Sequence, residues 1–207
     1  MSGIESGASP GSAGPDYTAR LKRLSGARWK RVLDVQAPYR WHVRRLRLGR
    51  TLDVGCGLGR NLAHLGGNGV GVDYNATSVA TCRERGLEAY TTQEFFAGGH
   101  AEPQAFDSML VAHVIEHMSS HDARDVVAAY LPCLRPDGCV VFITPQERGY
   151  ASDPTHVRWV GFAEAAQLCQ ELGLAVRRQY SFPFPRTFGK LFTYNEFVTV
   201  ARKAAAS

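Results

Sequence analysis

The sequence predicts an α/β fold: one domain built on an open, mostly parallel sheet with helices on both faces. Three observations carry that expectation. Short apolar runs alternate with helix-period segments along most of the 207 residues. One of those runs ends in a glycine-rich turn that leads directly into a helix. Two others, FDSMLVAHVI and CVVFITP, are almost continuously apolar, as strands buried on both faces are. Strand–helix alternation at this spacing places the helices as crossovers between parallel strands.

In order, MSGIESGASPGSAGPD is rich in Gly, Ser, Ala and Pro and lacks apolar periodicity, so residues 1–15 read as a disordered tail. Residues 16–207 form the domain, with about 16–48 as an N-terminal helical cap. Arg20 to Arg50 is dense in Lys and Arg, with Asp34 as its one acid. Apolar residues Leu21, Leu24, Val32, Leu33 and Val35 recur among those charges at roughly helical spacing. A solvated helix face covering a core therefore accounts for the region better than a nucleic-acid surface.

RTLDVGCGLGR reads as a strand and its glycine turn, NLAHLGG as a helix stopped by glycines, and GVGVDY as a second strand. NATSVATCRERG is a capped helix and LEAYTT a third strand. After the buried strand FDSMLVAHVI, Ser119 and Ser120 are good helix caps with Asp122 in the first turn, so a helix starts after Met118. RPDG is then a turn before CVVFITP. GFAEAAQLCQELG and LAVRRQYSF add a helix and a strand, and FTYNEFVTVARK alternates polar with apolar residues as a half-exposed strand does.

Composition narrows the function. No apolar run is long enough to span a bilayer and no secretion signal is visible, so a soluble, cytoplasmic protein is expected. The five cysteines are scattered without a C-x-x-C pair, which argues against a disulfide framework or a zinc finger. His113, Glu116 and His117 spell the H-x-x-E-H of a zinc protease, but that site needs a helix. Here the residues sit where an apolar strand runs into a loop, so the protease reading fails on context.

The glycine turn fits better. Gly55, Gly57 and Gly59 follow Asp53 at the end of one strand, and the next strand ends in Asp73, where an acid accepts from ribose hydroxyls. LDVGCGLGR, GVDYN, FDSMLVAHVIEHM and LRPDGCVVFITP, in that order, resemble the motifs of the class I S-adenosylmethionine-dependent methyltransferases, from about Gly49 to Lys203. The resemblance implies a Rossmann-like sheet, mostly parallel with a final antiparallel strand. It also implies S-adenosyl-L-methionine as cofactor and S-adenosyl-L-homocysteine as product. By that resemblance Asp53, Gly55, Cys56 and Gly57 hold the methionine end, Asp73 the ribose, and Tyr74 lies against the adenine. Gln93 stands where an acid usually meets the adenine amino group, and Ala112 and His113 sit beside the sulfonium.

Methyl transfer to an alcohol requires alignment of the nucleophile and removal of its proton. His156 in SDPTHVRW is the candidate base, with Asp153 or Glu116 orienting it, against the alternative of a loop histidine that caps a helix. Glu116 and His117 are candidate ligands for a divalent ion such as Mg2+, against the alternative that they only anchor the loop. YRWH and YSFPFPRTFGKLFTYNEF bring aromatic walls suited to a sugar or secondary metabolite, and the resemblance extends to small actinobacterial O-methyltransferases of mannosides. The expected acceptor is thus a small-molecule hydroxyl; RNA methylation and a non-catalytic, cofactor-binding activator subunit are the competing readings. A homodimer is left open.

Overall fold

The computed structural model describes residues 36–203; the expected tail and the basic stretch up to Val35 lie outside the described residues. A helix α1 (Ala37–Arg45) precedes the sheet, started by Pro38 in its first turn. The strands are β1 (Thr51–Val54), β2 (Gly69–Asp73), β3 (Ala89–Thr91), β4 (Phe106–Ala112), β5 (Leu134–Pro145), β6 (Leu174–Phe182) and β7 (Glu196–Lys203). They form one sheet in the order β3-β2-β1-β4-β5-β7-β6, in which only β7 runs antiparallel to its neighbours. The order turns back at β1, so β1 and β4, which leave in opposite directions, open a crevice above their carboxyl ends.

Between the strands lie α2 (Arg60–His64), α3 (Ala76–Glu84), α4 (Thr92–Ala97), α5 (Ser120–Tyr130), α6 (Glu147–Ala151) and α7 (Phe162–Glu171). Local chemistry starts several of them. Asn75 caps α3 by accepting from the Thr77 and Ser78 amides. Ser119 accepts from the Asp122 amide at α5, where a helix start is expected after Met118. Thr91 and Glu94 make a reciprocal capping box at α4, a helix absent from the sequence reading.

The core has two sides. Leu52, Met109, Val111, Phe142 and Val140 pack with Val127, Leu168 and Cys169 on one face; Leu110, Val141, Ile143 and Val198 pack with Leu48 on the other. All seven residues of β4 except Asp107 are buried. Burying side chains of this size contributes about 1.5–3 kcal/mol each.

Two expectations need correction. RPDG is not a turn before β5 but part of that strand: Phe106 pairs with Leu134 and Ser108 with Cys139, so the extra residues bulge, with Asp137 at φ +58°. The last strand is not half-exposed. Because β7 lies between β5 and β6, its polar residues Glu196 and Thr199 are buried. Alternating polarity here marks buried polar partners rather than a wet face.

Candidate functional site

The parallel strands deliver their carboxyl ends to one rim. Val54 leads into the glycine turn, where Gly55, Gly57 and Gly59 all have φ between +53° and +72°. At Gly57 a side chain would meet no atom within 4 Å, so glycine is required there by backbone conformation and the surface above stays open to a ligand. The turn is tied to the next strand: the Gly57 amide donates to Asp73 Oδ2 at 2.8 Å, and the Asn75 amide to Oδ1 at 2.9 Å. Burial raises the Asp73 pKa while these two bonds lower it. Each carboxylate oxygen keeps a second acceptor direction.

Asp53 lies beneath the turn, 1% exposed, and neither of its oxygens has a hydrogen-bond partner. Burial pushes its pKa up to about 7, with Arg60 and the Asn61 side chain pulling the other way and Asp73 adding repulsion. An orphaned buried carboxylate is costly unless a donor or cation arrives. The ammonium at the methionine end of S-adenosylmethionine is such a group, so Asp53, the turn and Asp73 fit the cofactor. Cys56 is buried under the same turn, and Cys82 of α3 donates from its thiol to the Gly57 carbonyl at 3.2 Å. Tyr74 is 38% exposed beside Asp73. Gln93 is exposed in the first turn of α4, whereas its neighbour Glu94 is committed to the capping box and to Arg83 at 2.8 Å.

At the end of β4, Ala112 is buried and His113 has φ +59°. Its Nε2 meets Glu196 Oε1 at 2.9 Å and its Nδ1 approaches Glu116 Oε1 at 3.3 Å. Burial alone would depress the His113 pKa, but the two glutamates outweigh it and raise it to about 9. The ring is therefore a cation at neutral pH. Glu196 was not recognisable in sequence; it arrives from the start of β7, 83 positions away.

Glu116 and His117 fall on a 3-10 turn, Ile115–His117, not on an α-helix, consistent with rejecting the protease geometry. Glu116 is fully buried and neither oxygen has a hydrogen-bond partner. His156 approaches it, Nε2 to Oε1, at 4.0 Å. The group that orients the His156 ring is the Tyr150 carbonyl, 2.7 Å from Nδ1. Asp153 instead accepts from the Thr155 amide at 3.0 Å and hydroxyl at 2.7 Å. The two loops are stitched together by the Val157 and Arg158 amides, which both donate to the Glu116 carbonyl.

A cover closes this rim. His42 of α1 stacks on Phe182 with centroids 4.1 Å apart and meets the Tyr180 hydroxyl at 2.5 Å; Tyr39 donates to the Tyr194 carbonyl at 2.7 Å. The YRWH segment and the last third of the chain thus come together. The cleft between Tyr39, Arg60, Ala112, His113 and Glu196 has a volume of about 10 Å³, room for roughly one water. A larger cavity, about 390 Å³, lies at the opposite rim among Arg47, Arg135, Arg178 and Arg202. Ligands of open α/β sheets bind at the carboxyl ends, so size does not make that cavity the site.

Comparison with known proteins agrees with this geometry. Residues 52–142, from β1 into β5, match a family described as methyltransferase domain. No curated protein matches the chain. Among solved structures, an S-adenosylmethionine-dependent methyltransferase from Archaeoglobus fulgidus aligns over 90% of this chain and 99% of its own, with TM-score 0.63 and 16% identity. Magnesium protoporphyrin IX methyltransferase from Synechocystis, bound to S-adenosylhomocysteine, aligns over 94% and 97%, with TM-score 0.64 and 14% identity. The cyclase SpnF aligns over 81% of both chains, with TM-score 0.59 and 16% identity. Likeness at this level of identity is a likeness of fold. Residues 52–142 thus match the methyltransferase-domain family, and the described chain has the Rossmann-like fold seen in S-adenosylmethionine-dependent methyltransferases.

Proposed function

We propose that this protein transfers a methyl group from S-adenosylmethionine to a hydroxyl of a small molecule, a sugar or a secondary metabolite. The observation that carries the reading is the orphaned Asp53 carboxylate beneath an open glycine turn, on the same rim as an aromatic cover and three histidines. In this reading Asp53, Gly55, Cys56 and Gly57 hold the methionine end. Asp73 accepts from the ribose through its unused lone pairs, Tyr74 lies along the adenine, and Gln93 reaches its amino edge. Ala112 and His113 border the sulfonium. When bound, the cofactor supplies an electrophilic methyl group with a good leaving group. The protein must place the acceptor oxygen in line and take its proton.

His156 is assigned as the base: Nδ1 faces the Tyr150 carbonyl, which only accepts, so the lone pair lies on Nε2, toward Glu116. Asp153 acts on it indirectly by fixing the Thr155 loop. His113 is unsuited to that role because its two glutamates keep it protonated. In a metal-assisted form of the same chemistry Glu116 and His117 help hold a divalent ion. Tyr39, His42 and Phe182 supply rigid aromatic walls for a sugar ring or a compact metabolite.

Calorimetric titration of S-adenosylmethionine tests the reading first: micromolar binding, about −8 kcal/mol, is expected. Methyl acceptors are then screened with tritiated cofactor over sugars and phenolic metabolites. No cofactor binding would sink the proposal, and transfer to RNA in preference to every small molecule would replace the acceptor class.

A further inference from the structure

We propose that Glu116, His117 and His156 form a binding site for one divalent transition-metal ion of the zinc or cobalt type. One ligand atom from each residue lies within 4.8 Å of the others. Two atoms coordinated at about 2.1 Å can be no more than about 4.2 Å apart and stand about 3.4 Å apart at a tetrahedral angle. Side-chain movements of roughly an ångström close the set.

The surroundings are those of a ligand site. Glu116 is 0% exposed, and both its oxygens lack hydrogen-bond partners. The nearest cationic partner, the His113 ring, stands 3.3 Å from Oε1 without closing a hydrogen bond, so the buried carboxylate keeps acceptor directions open to an ion. Both imidazoles present the same nitrogen. His156 turns Nδ1 to the Tyr150 carbonyl at 2.7 Å, and His117 turns Nδ1 to the Thr155 carbonyl at 3.2 Å and to the Thr155 hydroxyl at 3.1 Å, which accepts because its own proton goes to Asp153. A carbonyl can only accept, so each Nδ1 carries the proton and each Nε2 carries the lone pair. Backbone carbonyls holding the outer nitrogen are the usual support of metal-bound histidines. Thr155 is itself fixed by two bonds to Asp153.

The donor set selects the ion. Magnesium prefers an all-oxygen octahedron, whereas two imidazoles and one carboxylate suit zinc, cobalt and their neighbours. His113 is the competing cation at Glu116, 3.3 Å from Oε1. A metal there leaves His113 its second partner, Glu196, at 2.9 Å. The use of the ion rests on the methyl-transfer reading: with the ion bound, the His156 Nε2 lone pair is taken up as a ligand, and the ion replaces the free base by lowering the pKa of a coordinated hydroxyl. The binding does not depend on that reading.

The experiment titrates chelator-treated, full-length protein with cobalt, followed by its visible absorption, and then displaces cobalt with zinc. S-adenosylmethionine is titrated into the same preparation. One ion per chain is expected. Glu116→Gln, His117→Gln and His156→Gln should each weaken zinc binding by about 100-fold, while keeping the cofactor affinity and a cooperative melt. Absence of zinc and cobalt binding overturns the site, as does affinity unchanged in all three variants or a preference for magnesium over zinc. Zinc bound without cofactor supports the site and removes the methyl-transfer reading; cofactor bound without zinc removes the site alone.

Discussion

Replacing Asp53 with Asn should stabilise the cofactor-free protein at neutral and alkaline pH while removing its affinity for S-adenosylmethionine. The folded-state pKa is about 7, against an ordinary value of 3.8, because burial outweighs the Arg60 charge and the Asn61 side chain. Between those values the folded state binds more protons than the unfolded one, so stability falls as pH rises through that window. The shift is about 3 units, and each unit corresponds to about 1.36 kcal/mol, which puts the penalty of ionised Asp53 at up to about 4 kcal/mol above pH 7. For a chain of this length, 1 kcal/mol moves the midpoint by about 2–4 °C, so a gain on the order of 8–16 °C at pH 8 is the upper range. At pH 4, where the wild-type carboxyl is protonated, the two proteins should melt nearly together. Thermal melts of both from pH 4 to pH 9, with calorimetry at pH 7.5, make the comparison. A variant that melts below wild type at pH 8, or a difference that does not grow with pH, would refute the picture of a carboxylate held in wait for a cation.

Glu196→Gln removes one of the two carboxylates at His113, so the His113 pKa should fall from about 9 by on the order of one unit, read by NMR titration of the ring. Since a raised histidine pKa stabilises the fold below its unfolded value and that gain fades as pH rises through 9, the variant should lose stability at pH 7 and little at pH 10. Thr91→Ala breaks the capping box of α4 and should cost about 1 kcal/mol in urea unfolding. Gln146→Ala leaves the buried Asn195 amide and the Glu196 carbonyl each short of a partner; a loss of about 1–3 kcal/mol is expected, measured by the same unfolding.

Periodicity and caps are local signals, and the features they govern were legible. The runs FDSMLVAHVI and CVVFITP are the two central strands, and Ser119 starts its helix because the hydroxyl that accepts from Asp122 is three residues away. The glycine turn and Asp73 were legible for the same reason, being 16 positions apart and joined across adjacent strands. The α4 helix carried a usable sign, Thr91 followed three residues later by Glu94, that LEAYTT as a strand concealed. The place of β7 was not legible. Whether an alternating strand faces water depends on its neighbours, and β7 gains its second neighbour from β6. Glu196 at His113 and Tyr150 at His156 follow from that packing and from a loop conformation, neither of which leaves a local pattern.

The antiparallel β7 also sets the order in which the molecule can be made. It is the strand that covers the open flank of β5 and the strand to which β6 attaches, pairing with each along most of its length. During synthesis β1 to β5 can assemble first, but β5 then presents a row of unpaired amides and carbonyls, and β6 has no partner, until residues 196–203 leave the ribosome. Through that interval the half-built sheet is a template for pairing with other nascent chains. Its protection on the ribosome therefore depends on the eight residues that come last among its strands.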